Sequence, residues 1–158
     1  MLIKKIKRNN KIEFNADLRI NKYYIKEDKK IVTFNRGRML EYNIRYNYTK
    51  VENIDLENIS HKVAGDINID GLEYNIKSYK CELKSEGITL EQRIDNYIAS
   101  DASNGLIYVV EHNADIFEIR MSWAEAREFL LQYGRIDRNA IRLTTCDRKI
   151  YEWATAQA

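Results

Sequence analysis

The sequence predicts a mixed α/β (α+β) domain with a mixed central sheet flanked by helices and preceded by an N-terminal β-hairpin. Three observations predict this class. Short stretches alternate apolar and polar residues with the two-residue period of β-strands, and two segments open with capping boxes and continue at helical spacing. Residues 106–110 form a continuous apolar run, typical of a strand buried on both faces. The 158 residues fit a single domain, with a basic hairpin extension over residues 1–35 and a core over residues 36–158.

The first elements of the chain are predicted to be a hairpin and a helix. Residues 11–34 alternate in short stretches, with Tyr23 and Ile25 before a charged tip at residues 26–30 and Ile31 and Thr33 after it, as in the two strands of a β-hairpin. Residues 39–48 place Leu40 and Ile44 on one face at the spacing of an α-helix. We expect this helix to lead into the core.

Two helices in the second half of the chain are marked by their caps. Thr89 with Gln92, and Ser122 with Glu125, have the spacing of capping boxes, and apolar residues follow each pair at helical intervals. Gly134 is expected to end the second of these helices. The capping role also explains Gln92 without any chemistry.

Strands are predicted around these helices. The apolar run at residues 106–110 is followed by a turn and a second strand at residues 116–121. A last strand is expected at residues 140–145, and a short amphipathic segment near Trp153 ends the chain.

Charge is distributed unevenly along the sequence. Residues 1–50 hold 14 Lys and Arg against 5 Asp and Glu, whereas residues 51–158 hold 12 against 19. A basic segment fits a surface for a polyanion, and it equally fits exposed strands whose lysines prevent edge-to-edge aggregation. Both interpretations are open at this point. The candidate nucleic-acid contacts are Lys4, Lys5, Lys7, Arg8, Arg36, Arg38 and Arg45.

Several classes of protein have no support in the sequence. No run of 18 apolar residues and no signal-peptide pattern occurs, so we expect a cytoplasmic protein without a membrane association. Cys81 and Cys146 lack CxxC spacing, which predicts buried or half-buried thiols and neither a zinc site nor a disulfide. Neither a Ser-His-Asp order nor a glycine-rich phosphate loop is present.

The candidate chemistry lies on a hairpin centred on Asp70 and Gly71. A two-residue Asp-Gly loop favours a type I′ turn, in which both central residues have positive φ. This turn places Asp66 opposite Asn75, and Lys77 follows on the same face. Directly opposed Cβ atoms are about 4.5 to 5.5 Å apart, so these side chains are expected to converge.

The segment GDINIDGLEYNIKS at residues 65–78 resembles the hairpin of the PD-(D/E)XK nuclease superfamily. In that family an Asp ends one strand, and an acid, any residue and Lys follow on the next. Asp66 and Lys77 match this pattern, whereas Asn75 stands where the second acid is expected. Glu41 resembles the Glu that the family often carries on the preceding helix. The order helix, hairpin, helix, strand extends the likeness over residues 36–112.

The resemblance implies a Mg²⁺-dependent nuclease with Asp66, Asn75, Lys77 and Glu41 as catalytic residues. Two carboxylates hold the metal, which polarises the scissile phosphate and lowers the pKa of a bound water. The Lys positions that water and offsets phosphate charge. Asn75 removes one negative charge, which weakens metal binding. A rearranged ligand set of Glu41, Asp66 and Glu73 is the alternative.

Ordinary structural roles explain the same residues. Asp66 and Lys77 form a diagonal ion pair of little energy if the hairpin face is simply solvated. Glu41 pairs with Arg45 at i+4 in that interpretation. His61, just before the hairpin, is a candidate proton shuttle or a structural residue.

Two functional hypotheses follow. The first is a nuclease-like protein that binds nucleic acid, DNA in particular, either as a Mg²⁺-dependent endonuclease or as a catalytically degenerate relative. The second is a non-catalytic inhibitor of host defence from a phage or mobile element, of the anti-CRISPR type, which binds a host protein–nucleic acid complex. The second rests on size and charge alone. A homodimer is compatible with the first, although no dimer surface is marked.

Overall fold

The computed structural model describes residues 1–8, 12–14, 23–27, 30–34, 36–49, 67–78, 80–82, 87–112, 115–143 and 147–157. The chain divides into two compact units, one formed by Met1–Ile6 with Ser60–Ala158 and the other by Lys7–Ile59. Within the described ranges, none of the helices has the length and apolar character needed to cross a membrane.

Strands and helices alternate in the order expected of a mixed α and β protein, so this general class is confirmed. In chain order the described elements are β1 (Leu2–Ile6), β2 (Glu13–Phe14), β3 (Tyr23–Glu27), β4 (Lys30–Phe34), α1 (Arg36–Thr49), β5 (Ile67–Ile69), β6 (Leu72–Lys77), β7 (Lys80–Glu82), α2 (Leu90–Ser100), β8 (Gly105–His112), β9 (Asp115–Ser122), α3 (Trp123–Tyr133), β10 (Arg135–Asp137), β11 (Ala140–Arg142) and α4 (Asp147–Gln157).

A five-stranded mixed sheet organises the larger unit, with the strand order β1-β9-β8-β6-β5. β6 and β8 are parallel, and the other neighbouring pairs are antiparallel. Parallel neighbours need a crossover connection, and α2 lies in the segment that joins β6 to β8. The crossover therefore brings the end of α2 next to the start of β6.

The centre of this sheet is buried on both faces, as the apolar run predicts. Leu106, Tyr108 and Val110 join the main core cluster, to which α2, α3 and α4 contribute. Ile107 and Val109, which alternate with them, are also fully buried.

The predicted capping boxes are both present. In α2, Gln92 N–H donates to Thr89 Oγ1 over 3.1 Å, and Thr89 N–H donates to Gln92 Oε1 over 3.2 Å. Ser122 and Glu125 make the equivalent pair at α3, over 3.2 and 3.1 Å. Gly134 ends α3 as predicted, and its N–H donates to the Leu130 carbonyl over 2.8 Å.

The smaller unit contains the predicted hairpin and helix. β3 and β4 pair antiparallel, β2 extends them to a three-stranded sheet, and α1 covers the predicted helical segment. Asn43 on α1 is buried, and its Nδ2 donates to the Lys7 carbonyl over 2.9 Å. This hydrogen bond links the first residue of the smaller unit to helix α1.

The structure differs from the expectation at the first strand. Residues 2–6, expected within the hairpin extension, form β1 and pair with β9 at the edge of the central sheet. Ile3 packs against the core cluster, while the exposed Lys4 and Lys5 give the strand its basic character. The lysine content therefore concealed an edge strand whose half-buried Ile3 and buried Ile6 face the protein interior.

The predicted last strand is present as β11 (Ala140–Arg142), but its pairing with β10 and β7 in a second three-stranded sheet was not expected from the sequence. The two strands that were missed, β7 and β10, have three residues each, which is too short for a period-two pattern to stand out. The segment near Trp153 is also longer than expected, because it forms the 11-residue helix α4.

Candidate active site

The hairpin turn has the predicted geometry. Asp70 and Gly71 have φ of 52° and 86°, as a type I′ turn requires at both central positions. Asn68 Oδ1 accepts a hydrogen bond from Gly71 N–H over 3.1 Å, which closes the turn. The register pairs Ile67 with Tyr74, so the predicted alignment is confirmed over the described part of β5 and β6.

Asn75 and Lys77 lie on the same face of β6 and are half-buried. Their register partners on β8 are Leu106 and Tyr108, which point into the helix-covered core. The face of β6 that carries Asn75 and Lys77 is therefore partly enclosed. One of the alternatives considered above was a fully solvated face. Asp66 lies outside the described residues, and its place opposite Asn75 stays a prediction.

The main partner of Asn75 is Asp101, a residue that the sequence did not single out. Asn75 Nδ2 donates to Asp101 Oδ2. Asp101 is the C-cap of α2, and its own N–H donates to the Ile98 carbonyl over 3.2 Å. Its other oxygen, Oδ1, accepts from Ser103 N–H over 2.8 Å and from the Ser103 hydroxyl.

Hydrogen bonds hold the loop that carries Asp101, residues 101–104, to β6 and to α3. Asn104 N–H donates to the Glu73 carbonyl over 2.7 Å, and Asn104 Oδ1 accepts from Glu73 N–H over 2.9 Å. The indole Nε1 of Trp123 donates to the Ser103 carbonyl over 2.8 Å. These bonds hold the loop in one position and present Asp101 to β6.

Gly105, the first residue of β8, follows this loop and lies close to β9 and to Tyr74 of β6. A Cβ added at Gly105 would overlap the Met121 carbonyl oxygen and would lie 3.0 Å from Cε1 of Tyr74. Only a residue without a side chain fits between these two groups. The segment that joins Asp101 to β8 therefore requires glycine at position 105.

The pKa of the buried Cys81 thiol depends on the charged residues near the site. Burial raises the pKa of Cys81 from 9.0 to about 11. The positive charge of Lys77 and a hydrogen bond with Tyr97 act against this shift, whereas the negative charge of Asp101 adds to it. Lys77 and Asp101 therefore both lie within electrostatic range of the same sulfur atom.

The other predicted ligands are distributed between the two units. Glu73 is half-buried on β6, and strand alternation puts it on the face of Asn75 and Lys77. Glu41 lies on α1 in the unit Lys7–Ile59, and its role at the site stays a prediction. His61 lies outside the described residues. Among those that are described, His, Cys, Asp and Glu form no group of three or more suited to a metal ion.

The predicted nucleic-acid contacts also fall in both units. Lys4 and Lys5 are exposed on β1, and Lys7 and Arg8 follow it, exposed as well. Arg36 and Arg38 belong to the first turn of α1, with Arg45 further along the same helix. A role of these residues in binding stays a prediction.

Together these features define a mixed α and β protein with a partly enclosed polar site on an Asp-Gly hairpin. Comparison of the chain with protein-family models, curated proteins and solved structures found no match. The function is therefore argued from the residues of this chain.

Asp101 had one signal in the sequence, namely its position directly after the second predicted helix and two residues before Ser103. Asp followed at that distance by a polar residue often forms a side-chain-closed turn. That signal indicates a turn and says nothing about a partner on β6. Only the parallel pairing of β6 with β8 brings Asp101 and Asn75 together.

Proposed function

We propose that this protein is nuclease-like and binds the phosphodiester backbone of nucleic acid, DNA in particular, at the polar face of β6. In this proposal Asp101 supplies the carboxylate that the motif lacks at Asn75. The observation that supports it is the hydrogen bond from Asn75 Nδ2 to Asp101 Oδ2. The acid that the sequence lacks on β6 is thus provided by the neighbouring loop.

The donor atoms of this face suit Mg²⁺. Carboxylate and amide oxygens are the ligands that Mg²⁺ prefers, and Asp101 with Asn75 offers both kinds. Because Asn75 Nδ2 is engaged with Asp101, its remaining polar atom is the oxygen Oδ1. Asp66 is the third oxygen ligand if the confirmed register continues by one residue. When bound, Mg²⁺ supplies polarisation of the phosphate and a water of lowered pKa.

Lys77 provides the positive charge of the site. It lies two residues from Asn75 on the same face of β6, and its charge acts on the same buried sulfur as that of Asp101. An ammonium group at this position stabilises negative charge on a bound phosphate and orients an attacking water. The half-buried setting strengthens this effect, because water screens the charge less than at an open surface.

The fixed position of Asp101 also supports the proposal. Catalytic groups work best when the surrounding structure holds them in place before substrate arrives. Here the hydrogen bonds of Asn104 to Glu73 and of Trp123 to Ser103 fix the loop. Asp101 therefore needs no rearrangement to face β6.

One observation favours the second hypothesis, a non-catalytic binding protein. Both oxygens of Asp101 already accept hydrogen bonds, Oδ1 from Ser103 and Oδ2 from Asn75. A purely structural link between α2 and β6 needs nothing more. In that case the fold serves as a scaffold for binding a partner, as in a phage or mobile-element inhibitor of host defence.

Calorimetric titration of Mg²⁺ and Mn²⁺, run beside cleavage of labelled single- and double-stranded DNA, separates the two hypotheses. For a working nuclease, we expect Asp66→Ala and Asp101→Asn to lose metal binding, and Lys77→Met to lose cleavage while it retains the metal. Asp70→Asn is the matched control, because it removes one carboxylate from the same hairpin at a turn position that tolerates Asn.

The result that would overturn the nuclease proposal is a wild-type protein that neither binds metal nor cuts DNA. Full activity in Asp101→Asn would mean that Asp101 is not part of the site, and only the sequence motif would then support the proposal. Equal losses in Asp70→Asn and Asp101→Asn would point to the general charge of the hairpin as the cause.

A further inference from the structure

Within the part of the chain that the structure describes, the small sheet β10-β11-β7 ends at β10. This strand has β11 on one side and an open edge on the other. A two-residue turn joins β10 to β11, and the pair that closes it is Asp137 and Ala140. The closing pair of such a turn is hydrogen-bonded, and the direction of hydrogen bonding alternates along a strand. The N–H and C=O of Ile136 therefore point away from β11, toward the open edge.

β10 presents an apolar residue between two opposite charges. Ile136 is 45% exposed, although its register partner Ile141 and the next partner in that row, Cys81, are fully buried. The apolar row therefore stops at an exposed isoleucine. Arg135 and Asp137 lie on the opposite face of the strand, one on each side of Ile136.

The two charges of β10 are only partly satisfied within one copy. Arg135 is exposed, and its side chain takes part in no ion pair among the described residues. Its register partner on β11 is Arg142, and like charges in directly opposed positions destabilise a sheet. Asp137 Oδ2 pairs with Arg142 Nη2 over 2.8 Å, which leaves Oδ1 for a further donor. β10 therefore offers one cation and one carboxylate oxygen beside its open edge.

A second copy of this chain is complementary to that edge. In an antiparallel pair of two β10 strands centred on Ile136, Arg135 of each copy lies opposite Asp137 of the other. A two-fold arrangement makes every contact twice, so two opposite-charge pairs form, and the two Ile136 side chains meet on the other face. The N–H of each Ile136 then donates to the C=O of the other. A shift by one residue would lose both charge pairs.

Protection of the edge is the ordinary role of charges on such a strand. Charges of one sign serve that role best, because a second copy of the same strand then meets its own charge and is repelled. On β10 the two charges have opposite signs and lie at equal distances from Ile136. They therefore attract a second antiparallel copy instead of repelling it.

The hairpin that carries β10 is held in place before a second copy arrives. Arg138, the first residue of its turn, has φ of 41°, a region that residues with a side chain seldom adopt. The Arg138 carbonyl accepts a hydrogen bond from Arg93 Nη1 of α2, and Arg93 Nε donates to the Gly87 carbonyl over 2.9 Å. Surfaces that are fixed in advance associate at a lower entropic cost than surfaces that must first be ordered.

We infer that β10 is a dimerisation edge, at which two copies of this chain join their three-stranded sheets into one continuous sheet. The contact is short, because β10 has three residues, and small interfaces belong to the weak and transient class. The Kd of the dimer is therefore expected in the micromolar to millimolar range. Dimerisation needs neither a metal nor a nucleic acid, so it does not depend on the proposed function.

The test is a pair of charge reversals, measured by sedimentation equilibrium. Arg135→Asp places two acids on each edge and Asp137→Arg places two cations there, so each variant repels its own copy. Two cross-strand pairs turn from attractive to repulsive, and we expect the Kd of each homodimer to rise at least about tenfold. An equimolar mixture, with one variant fluorescently labelled, restores both opposite-charge pairs. We expect it to form a heterodimer as tight as the wild-type dimer.

Arg148→Asp is the matched control for the change of charge. Arg148 is exposed on α4, where it pairs with Glu152. The Kd of this variant is expected to stay within about twofold of the wild type, because a surface charge outside the contact contributes little. Thermal melts check the fold of each variant. Arg135→Asp should melt no lower than the wild type, since it places an acid opposite Arg142.

Ile136→Pro tests the backbone contact without any change of charge. It also keeps the dimer testable if Asp137→Arg does not fold, since that variant loses the ion pair with Arg142. Pro is tolerated on an edge strand where the N–H it replaces faces solvent, so Ile136→Pro should fold and yet lose the dimer. Ile136→Val retains the N–H and a β-branched side chain, and it should dimerise as the wild type does.

Several results would each overturn the inference. A wild type that stays monomeric up to about 1 mM would mean that the edge does not pair. A dimer that persists in Arg135→Asp and in Ile136→Pro would place the contact elsewhere on the protein. A mixture of the two charge variants that associates no better than either alone would mean that residues 135 and 137 do not oppose each other. Equal weakening in Arg148→Asp would assign the effect to net charge.

Discussion

Asn75→Asp restores the acid that the nuclease motif lacks, and it changes an observed hydrogen bond into a close pair of carboxylates. In the wild type, Asn75 Nδ2 donates to Asp101 Oδ2. In the variant both partners are acceptors, and both carry charge at neutral pH. The substitution therefore has opposite effects on stability with and without a divalent cation.

The cost in EDTA has two parts. The lost hydrogen bond to a charged group contributes about 1.5 to 3 kcal/mol. Repulsion of two charges about 4 Å apart reaches about 4 kcal/mol at an effective dielectric constant near 20, and proton uptake by one carboxyl group limits it. We expect the free energy of unfolding to fall by about 2 to 4 kcal/mol, which lowers Tm by about 4 to 16 °C.

The pH dependence of this cost has a defined sign. Repulsion raises the pKa of the carboxyl pair in the folded protein above its unfolded value, so the folded state binds more protons. The deficit is therefore largest at neutral pH and shrinks as the pH falls through the raised pKa. Wild type and variant are expected to converge in thermal melts toward about pH 5.

Mg²⁺ should reverse the deficit if oxygens converge on a metal at this face. At a concentration of a hundred times Kd, a bound ligand adds about 2.7 kcal/mol to the free energy of unfolding. Most of the lost Tm should then return in Asn75→Asp, with a smaller shift in the wild type. NaCl at the same ionic strength is the control, because screening alone also weakens repulsion.

Two results would refute this reasoning. A variant as stable as the wild type in EDTA would mean that residues 75 and 101 do not meet. A Tm that Mg²⁺ raises no more than NaCl does would mean that no metal binds there. Asn68→Asp is the matched variant, since the exposed Asn68 uses its oxygen to accept from Gly71 N–H and Asp can accept in the same way.

Three further predictions concern the structure around the site. Because burial raises the pKa of Cys81 from 9.0 to about 11, the thiol of the unfolded chain ionises first, and the free energy of unfolding should fall by about 3 kcal/mol between these pH values. In denaturant titrations, Cys81→Ala should abolish that part of the pH dependence. Gly105→Ala should lower the free energy of unfolding by about 1 to 3 kcal/mol, because its Cβ meets the Met121 carbonyl; an unchanged urea midpoint would contradict the close approach. Trp123→Phe should cost about 1 to 3 kcal/mol in thermal melts, since it leaves the carbonyl of the buried Ser103 without its donor; a neutral effect would mean that the loop does not depend on this bond.

The features that the sequence predicted correctly are encoded within a few residues of each other. The Asp70-Gly71 turn follows from two residues that tolerate positive φ. The capping boxes need only Thr89 with Gln92 and Ser122 with Glu125. Local geometry decides such features, so they could be recognised before the fold was known.

The features that escaped prediction depend on contacts between distant segments. The sequence of β1 indicates only a basic segment, and its pairing with β9 identifies it as an edge strand of the central sheet. The three-residue strand β7 has no pattern of its own, and its partner β11 follows almost sixty residues later. Asp101 meets Asn75 only because β6 and β8 are parallel neighbours. Sequence periodicity contains no information on such pairings.

The pairing of β1 with β9 has a consequence for the order of folding during synthesis. Ile6 is the register partner of Ile116, so more than a hundred further residues must be synthesised after β1 before its partner strand is available. Closing a loop of that length costs about 4 kcal/mol of chain entropy beyond a constant. We therefore expect the pairing of β1 with β9 to form late in folding. Nascent chains that stall before β9 emerges should remain sensitive to protease within β1.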